Sequence, residues 1–213
     1  SKENFKEKIL IGTSCNSLND TVNIMQHSIK AGLKNFLIMN VAYYKNDDNG
    51  VYNFYKHIIA SAPLSKIILY NFSKLSGYTF TAEVTKKLIT NFPKNIIGMK
   101  DSTGNLWNNF KAKNFSMFVG SEKKLLDGLK VGAAGCISAT TNITGPLAKK
   151  VFDDFHKSKD SSSETKLKAL RTVFDETGNL ISALHTLKSL ENEIYKNMLP
   201  PLEILSEEKK IEM

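Results

Sequence analysis

A lysine and a tyrosine lie at the ends of two consecutive apolar runs of the sequence. Tyr70 is near the end of KIILYN, and Lys100 ends NIIGMK, after which the chain turns polar and reaches a glycine. If both runs are parallel strands, their carboxyl ends meet on the same side of a sheet. Burial disfavours the charged form of an amine, and a neutral amine can attack a ketone to form a Schiff base. A neighbouring phenol can move the protons that this reaction requires.

Each of these residues also has an ordinary structural interpretation. Lys100 can extend its ammonium group into solvent from the end of a strand. Tyr70 can be a core aromatic whose hydroxyl is bonded to the backbone. Gly120, which ends the run SMFVG, can serve a turn. The residues by themselves leave these alternatives open.

Other common kinds of site are not indicated. The sequence has no GxxxxGK[ST] loop, no GxGxxG after a first strand and no GxSxG elbow. Its four histidines are far apart and show no HExxH spacing, so no metal site is predicted. The net charge of +8 comes from scattered lysines, and Arg171 is the single arginine, so we expect no nucleic-acid partner.

The sequence also indicates no membrane segment. It contains no run of about 18 apolar residues, and its first residues, SKENFKEK, lack the apolar core of a signal peptide. Cys15 and Cys136 form no CxxC pair and are expected to be free thiols. We therefore expect a cytoplasmic protein.

Short apolar runs alternate with amphipathic segments along most of the chain. The runs show no polar alternation, which is typical of strands buried on both faces of a parallel sheet. The predicted strands are 8–14, 35–41, 66–71, 95–100, 116–120 and 135–139. The predicted helices are 18–31, 50–61, 81–91, 106–112, 123–131 and 146–157. This α/β order predicts either a barrel or a doubly wound sheet.

The last part of the chain has a different pattern. A serine-rich stretch, 157–164, precedes helices predicted at 164–176 and 180–195, and Ser206 is placed to cap another helix. We predict a barrel portion over residues 1–158 and a helical domain over residues 159–213. A closed barrel needs eight βα units and six are visible, so either the sheet is open or two N-terminal units are missing from this sequence.

Four segments resemble the dihydrodipicolinate synthase / N-acetylneuraminate lyase family of class I, Schiff-base pyruvate aldolases. IIGMKDSTGNL resembles the Schiff-base lysine motif, and the YN…SG segment beginning at Tyr70 resembles the catalytic tyrosine motif. AGLKNFLIMNVAYY resembles the segment with a tyrosine pair, and GAAGCISATTNI resembles the eighth strand and its exit. The order and spacing of these motifs match over nearly the whole chain.

The resemblance implies a (β/α)₈ TIM barrel with a C-terminal helical domain, usually in a homotetramer, of which this sequence holds about strands 3 to 8. It implies that Lys100 forms the imine with pyruvate, that Tyr70 shuttles protons, and that Tyr43 crosses a subunit interface to complete the relay. The residues that would line the substrate pocket are Ser102, Gly120 and Ile137. The partners would be pyruvate and an aldehyde, with no metal and no organic cofactor.

Two departures from the family pattern bear on the substrate. Leu75 stands where the synthase branch has an arginine for the carboxylate of its aldehyde, which argues against lysine biosynthesis. The lyase branch has an acidic pair and a later serine where this chain has Glu122, then Lys123, and Ala139. A 2-keto-3-deoxy sugar acid or a related hydroxy-oxo acid therefore fits better than sialic acid.

We thus predict a lyase that cleaves a 2-oxo acid reversibly through a Schiff base. This prediction assumes that the full protein supplies the two missing strands and the hydroxyl-rich loop that binds the pyruvate carboxylate. The alternatives are a dihydrodipicolinate synthase, which joins pyruvate to aspartate semialdehyde, and a non-catalytic paralogue that binds a keto acid.

Overall fold

The computed structural model describes residues 5–13, 15–158, 162–206 and 208, which fall into two compact units. The described residues up to Gly120, together with Val131–Ala134, form the first unit, and the remaining ones form the second. This division lies at residue 120 and not near 158. The predicted boundary between a barrel and a helical domain stays a prediction.

Parallel strands run through the first unit. They are β1 (Ile11–Gly12), β2 (Asn35–Ile38), β3 (Lys66–Asn71), β4 (Ile96–Asp101) and β5 (Ser116–Val119). Each strand pairs in parallel with the next one along the chain. A doubly wound sheet reverses its strand order, whereas a barrel wall keeps the order of the chain. The predicted parallel α/β class is confirmed, and the strand order favours a barrel wall.

Helices connect these strands and cover them with apolar side chains. The helices are α1 (Leu18–Lys30), α2 (Asp48–Ser61), α3 (Ser73–Ser76) and α4 (Ala82–Asn91). The side chains of Ser17, Asp47 and Thr81 each accept a backbone N–H from the first turn of α1, α2 and α4, which fixes where those helices begin. Tyr55 of α2 is fully buried in the core and donates its hydroxyl to the Ile38 carbonyl at 2.7 Å.

The helix predicted at 106–112 is wrong, because the segment forms turns. The Phe110 N–H donates to the Leu106 carbonyl at 2.9 Å, which closes one turn that does not continue. The N–H groups of Leu106 and Trp107 are bonded to the Asp101 carboxylate, which ties the segment to the end of β4. The two asparagines that follow Trp107 also favour turns, since their side chains compete for backbone hydrogen bonds.

The second unit contains a short strand and several helices. They are β6 (Gly135–Cys136), α5 (Leu125–Lys130), α6 (Thr141–His156), α7 (Ser163–Glu176) and α8 (Leu180–Ser189). Val151 and Leu167 are in one buried apolar cluster, and Phe174 and Ala183 are in another. The helix predicted at 180–195 is two pieces, because Asn192 caps a separate 3₁₀ helix, Glu193–Lys196.

Some predictions fall on residues that the structure does not describe. These are position 14 of the first predicted strand, positions 159–161 of the serine-rich stretch, and most of the helix predicted after Ser206. Within the described part of the chain, no helix has both the length and the hydropathy that a membrane crossing requires.

Candidate active site

Lys100 and Tyr70 lie side by side at the carboxyl ends of β4 and β3. The register aligns them, and Nζ of Lys100 lies over the Tyr70 ring, 4.1 Å from its centroid. Lys100 is only 8% exposed, so its side chain does not extend into solvent. The contact places this nitrogen over the negative face of the ring. The pair is therefore a buried amine held against a phenol.

Two buried polar residues, Asn71 and Asp101, directly follow this pair in the two strands, and the register aligns them as well. Nδ2 of Asn71 donates to the Asp101 carboxylate at 2.9 Å and to Oδ1 of Asn105 at 2.7 Å. Oδ1 of Asn71 accepts the N–H of Phe80 at 3.2 Å. These bonds join the ends of β3 and β4, so they fix the positions of Tyr70 and Lys100 relative to each other.

Asp101 organises the turn that leaves β4. Oδ1 accepts the N–H of Gly104 at 2.8 Å, and Oδ2 accepts those of Leu106 at 2.8 Å and Trp107 at 2.9 Å. Sequence reasoning gave Asp101 no role. Its signal was an aspartate at the end of a buried strand, followed by the turn-forming residues Ser, Thr, Gly and Asn.

The structure brings the predicted pocket residues Ser102 and Gly120 together. The N–H of Ser102 donates to the Asn71 carbonyl at 2.8 Å, and that of Gly120 donates to the Asp101 carbonyl at 3.0 Å. A Cβ at position 120 would overlap Oγ of Ser102 and would lie 2.5 Å from its Cα. Gly120 is thus required by this close approach and not by a turn.

The other two predicted residues are Tyr43 and Ile137. Tyr43 is 83% exposed, and its ring packs edge-on against Tyr44 with the centroids 5.3 Å apart. Ile137 follows β6 in the second unit, where it is half-buried. The roles assigned to Tyr43 and Ile137 stay predictions.

A buried carboxylate, Glu122, is the centre of a polar network in the second unit. Its Oε2 accepts Oγ of Ser138 at 2.6 Å and a guanidinium N–H of Arg171 at 3.0 Å. Its Oε1 accepts the hydroxyls of Thr140 and, at 3.0 Å, Thr144. Burial raises the pKa of Glu122, but the hydrogen bonds from Ser138 and Thr140 and the charge of Arg171 outweigh it, so the pKa is below its ordinary value. Glu122 thus holds the residues that follow β6 and is not free to bind a ligand.

The reactive groups gathered at the ends of β3 and β4 are an amine and a phenol. Among the described residues, no group of three or more His, Cys, Asp or Glu side chains is arranged to hold a metal ion. The absence of a metal and of an organic cofactor from the reaction stays a prediction. An amine that forms an imine with a keto acid supplies its own electron sink.

Comparisons with known proteins agree on one family. The model of the Dihydrodipicolinate synthetase family matches residues 2–213. The 4-hydroxy-tetrahydrodipicolinate synthase of Pelagibacter ubique is 34% identical over 176 residues, which cover 80% of this chain and 58% of that protein. The probable 2-dehydro-3-deoxy-D-pentonate aldolase of Escherichia coli K12 is 28% identical over an alignment of 215 positions. The alignment covers 95% of this chain and 70% of that protein.

Solved structures agree on the fold. A catalytic lysine mutant of the sialic acid aldolase of Ruminococcus gnavus superposes with a TM-score of 0.84 at 18% identity, over 95% of this chain and 69% of that one. At this identity the likeness concerns the fold alone. The chain spans little more than half the length of several curated relatives, 58% for the Pelagibacter synthase.

Proposed function

The chain belongs to the dihydrodipicolinate synthetase family, and from this membership we propose that the complete protein is a pyruvate-dependent class I aldolase. The observation that carries the proposal is the buried Lys100 amine held against the Tyr70 ring. In the complete protein, the parallel strands form part of a (β/α)₈ barrel followed by a helical domain, and the subunits form a homotetramer.

In the proposed reaction, the neutral amine of Lys100 attacks C2 of a 2-oxo acid, and the carbinolamine loses water to give an imine. Tyr70 gives a proton to the departing hydroxyl and then accepts the proton of the C4 hydroxyl. The C3–C4 bond then breaks and an aldehyde leaves. The electron pair of the broken bond remains on the pyruvate part, which is now an enamine on Lys100. Protonation at C3 and hydrolysis of the imine release pyruvate and restore the amine.

The proposal gives Tyr43 a role that this chain does not fulfil by itself. Tyr43 and Tyr44 form an exposed aromatic pair, 83% and 66% accessible, as suits side chains that enter a neighbouring subunit. We assign Tyr43 to the proton relay of that neighbour. The residues assigned to the substrate pocket are Ser102, Gly120 and Ile137.

The proposed substrate is a 2-keto-3-deoxy sugar acid or a related hydroxy-oxo acid. The Pelagibacter relative favours a second candidate, the condensation of pyruvate with aspartate semialdehyde. Leu75 argues against it: this side chain is apolar and 58% exposed on α3, so it offers no positive charge to the carboxylate of the aldehyde. A non-catalytic keto-acid binder would keep the fold but would not need a lysine and a tyrosine in contact.

Borohydride reduction of the full-length protein in the presence of pyruvate tests the proposed chemistry. We expect a pyruvate-derived mass addition on the peptide that contains Lys100, and none in the Lys100→Ala variant. Lys87→Ala is the matched control, because Nζ of Lys87 also lies over a ring, 4.3 Å from the Tyr52 centroid, but this lysine is exposed. Labelling of the Lys100→Ala protein would refute the assignment.

The substrate class is tested separately. Pyruvate release is followed with 2-keto-3-deoxy acids and with sialic acid, and condensation is followed with pyruvate and aspartate semialdehyde. We expect cleavage of a keto-deoxy acid to be the fastest of these reactions. Faster condensation with aspartate semialdehyde would establish the synthase instead and would contradict the argument from Leu75.

A further inference from the structure

Phe72 is the residue directly after β3, and its ring stacks on the ring of Tyr70. The two centroids are 5.9 Å apart and the ring planes differ by 28°, so the rings are nearly parallel. Nζ of Lys100 lies over the same Tyr70 ring. The phenol that we assign to proton transfer therefore has two neighbours, the amine that reacts in the proposed mechanism and an aromatic ring that no proposed step uses.

Position 72 is an unusual place for an aromatic side chain. It directly precedes the first residue of α3, where serine, threonine, aspartate or asparagine is preferred because these side chains cap the first N–H groups of a helix. α1, α2 and α4 are capped in that way, whereas the side chain of Phe72 makes no cap bond. A residue that departs from a local rule is expected where another requirement is stronger.

The cap that Phe72 does not provide comes from the turn after β4. Oγ1 of Thr103 accepts the N–H of Ser73, the first residue of α3, at 2.8 Å. The Asn71 carbonyl accepts the N–H of Thr103 at 3.2 Å, and the Phe72 carbonyl accepts that of Ser76 at 3.0 Å. These bonds fix the backbone on both sides of Phe72, so position 72 can carry a ring instead of a capping group.

The ring of Phe72 is not part of the hydrophobic core. Phe72 is half-buried, and it is not among the residues that form the apolar clusters in the described part of the chain. Phe92, which is also half-buried, does pack against the core of the first unit. Core packing therefore explains a phenylalanine at position 92, whereas the stack on Tyr70 explains the one at position 72.

We propose that Phe72 is a positioning residue for Tyr70, an inference that rests on the proposed aldolase function. A side chain transfers a proton efficiently only when it is held within hydrogen-bonding reach of the reacting atom. The stack limits the rotation of the Tyr70 side chain, so it keeps the phenol in place while the substrate reacts at Lys100. The side chain of Phe72 has no proton to give or accept and acts only through this contact.

Replacing Phe72 by leucine removes the ring and keeps an apolar side chain. We expect kcat for the cleavage of a 2-keto-3-deoxy acid to fall about two- to tenfold, the rate equivalent of one aromatic stack, while KM stays within about twofold. Phe72→Tyr keeps a ring, so its kcat should stay within about twofold of that of the unchanged protein.

The matched control is Phe92→Leu. The Phe92 ring also lies beside a tyrosine, with its centroid 6.1 Å from that of Tyr52 and the planes 34° apart. This substitution removes a comparable contact away from Lys100 and Tyr70, so kcat should be unchanged. An equal fall of kcat in Phe92→Leu and Phe72→Leu would overturn the inference.

A second substitution tests whether Phe72 acts through the Tyr70 hydroxyl. Tyr70→Phe keeps the ring and removes the group that transfers protons, so Phe72→Leu should not change the residual kcat of that variant. If Phe72→Leu lowers kcat by the same factor in both backgrounds, or in neither, the positioning role is wrong. Labelling of Lys100 by pyruvate in the same proteins would then leave the aldolase function in place.

The motion of the Tyr70 ring tests the inference even if the proposed reaction fails. With 3-fluorotyrosine at position 70 of the full-length protein, fluorine NMR measures the rate at which this ring turns. We expect that rate to rise about two- to tenfold in Phe72→Leu and to stay within about twofold in Phe92→Leu. An unchanged rate in Phe72→Leu would overturn the inference. If that variant does not fold, Phe72→Met, which also lacks the ring, carries the same expectations.

Discussion

Replacing Asp101 by asparagine tests whether its carboxylate holds the end of the Lys100 strand. The four donors that it accepts lie at 2.8–2.9 Å, two on each oxygen: the amide of Asn71 and the N–H groups of Gly104, Leu106 and Trp107. In Asp101→Asn one oxygen becomes an NH₂ group. Whichever way the new amide turns, two of the four donors then face another donor.

The expected loss of stability follows from these two unpaired donors. Each donor left without a partner in the interior costs about 1–3 kcal/mol. Gly104 is exposed, so water reaches part of the freed groups, whereas Leu106 is buried. Two buried donors without partners would together cost about 2–6 kcal/mol. Because water reaches part of the freed groups, we expect Asp101→Asn to lower the free energy of unfolding by about 2–4 kcal/mol.

Urea unfolding of the two proteins measures this difference. The matched control is Asp153→Asn on α6. Both oxygens of the Asp153 carboxylate accept from Nζ of Lys149 at 2.6 Å, and the substitution replaces one of these acceptors by an NH₂ group. That pair is on the surface, where water replaces the lost bonds, so the control should unfold at the same urea concentration as the unchanged protein. If Asp101→Asn also unfolds at that concentration, the reasoning from unpaired donors is refuted.

Two other predictions concern Glu122 and Gly120. Because the pKa of Glu122 in the folded chain is below its ordinary value of 4.5, its ionised form stabilises the fold above that value, and this stabilisation is lost as the pH falls through the folded pKa. In urea unfolding, acidification should therefore lower the free energy of unfolding less in Glu122→Gln than in the unchanged protein. Equal losses in the two proteins would contradict this prediction. Gly120→Ala should cost about 1–3 kcal/mol in the same assay, because a Cβ would overlap Ser102. Gly12→Ala in β1, where a Cβ has open space, should instead leave stability unchanged or raise it by about 0.5–1 kcal/mol, and equal effects at the two positions would rule out the steric argument.

The buried strands were predictable because their sequence pattern is local. The run predicted at 66–71 is β3 itself, and the run predicted at 95–100 differs from β4 by one residue at each end. Both are continuously apolar, as strands covered on both faces must be. Once the strands are parallel and adjacent, their carboxyl ends coincide, which is why the contact between Tyr70 and Lys100 could be expected from the sequence.

The networks around the strands were not predictable, because their partners are far apart in the chain. Arg171 donates to the Glu122 carboxylate although the two residues are 49 positions apart in the sequence. No spacing rule relates an arginine on α7 to a glutamate at the start of the short 3₁₀ helix Glu122–Lys124. The apolar residues of the turn after β4 repeat at helical spacing, and this pattern predicts a helix that the structure does not contain. Its backbone N–H groups are bonded instead to Asp101, a residue outside that repeat.

Two residues of the second unit, Glu122 and Ala139, bear on the proposed substrate. Glu122 lies where the lyase branch has its acidic pair. Its carboxylate already accepts hydrogen bonds from several side chains, among them Arg171 and Ser138. Ala139 offers only a methyl group. Glu122 and Ala139 therefore offer no free hydrogen-bonding side chain, which supports the proposed keto-deoxy acid over sialic acid.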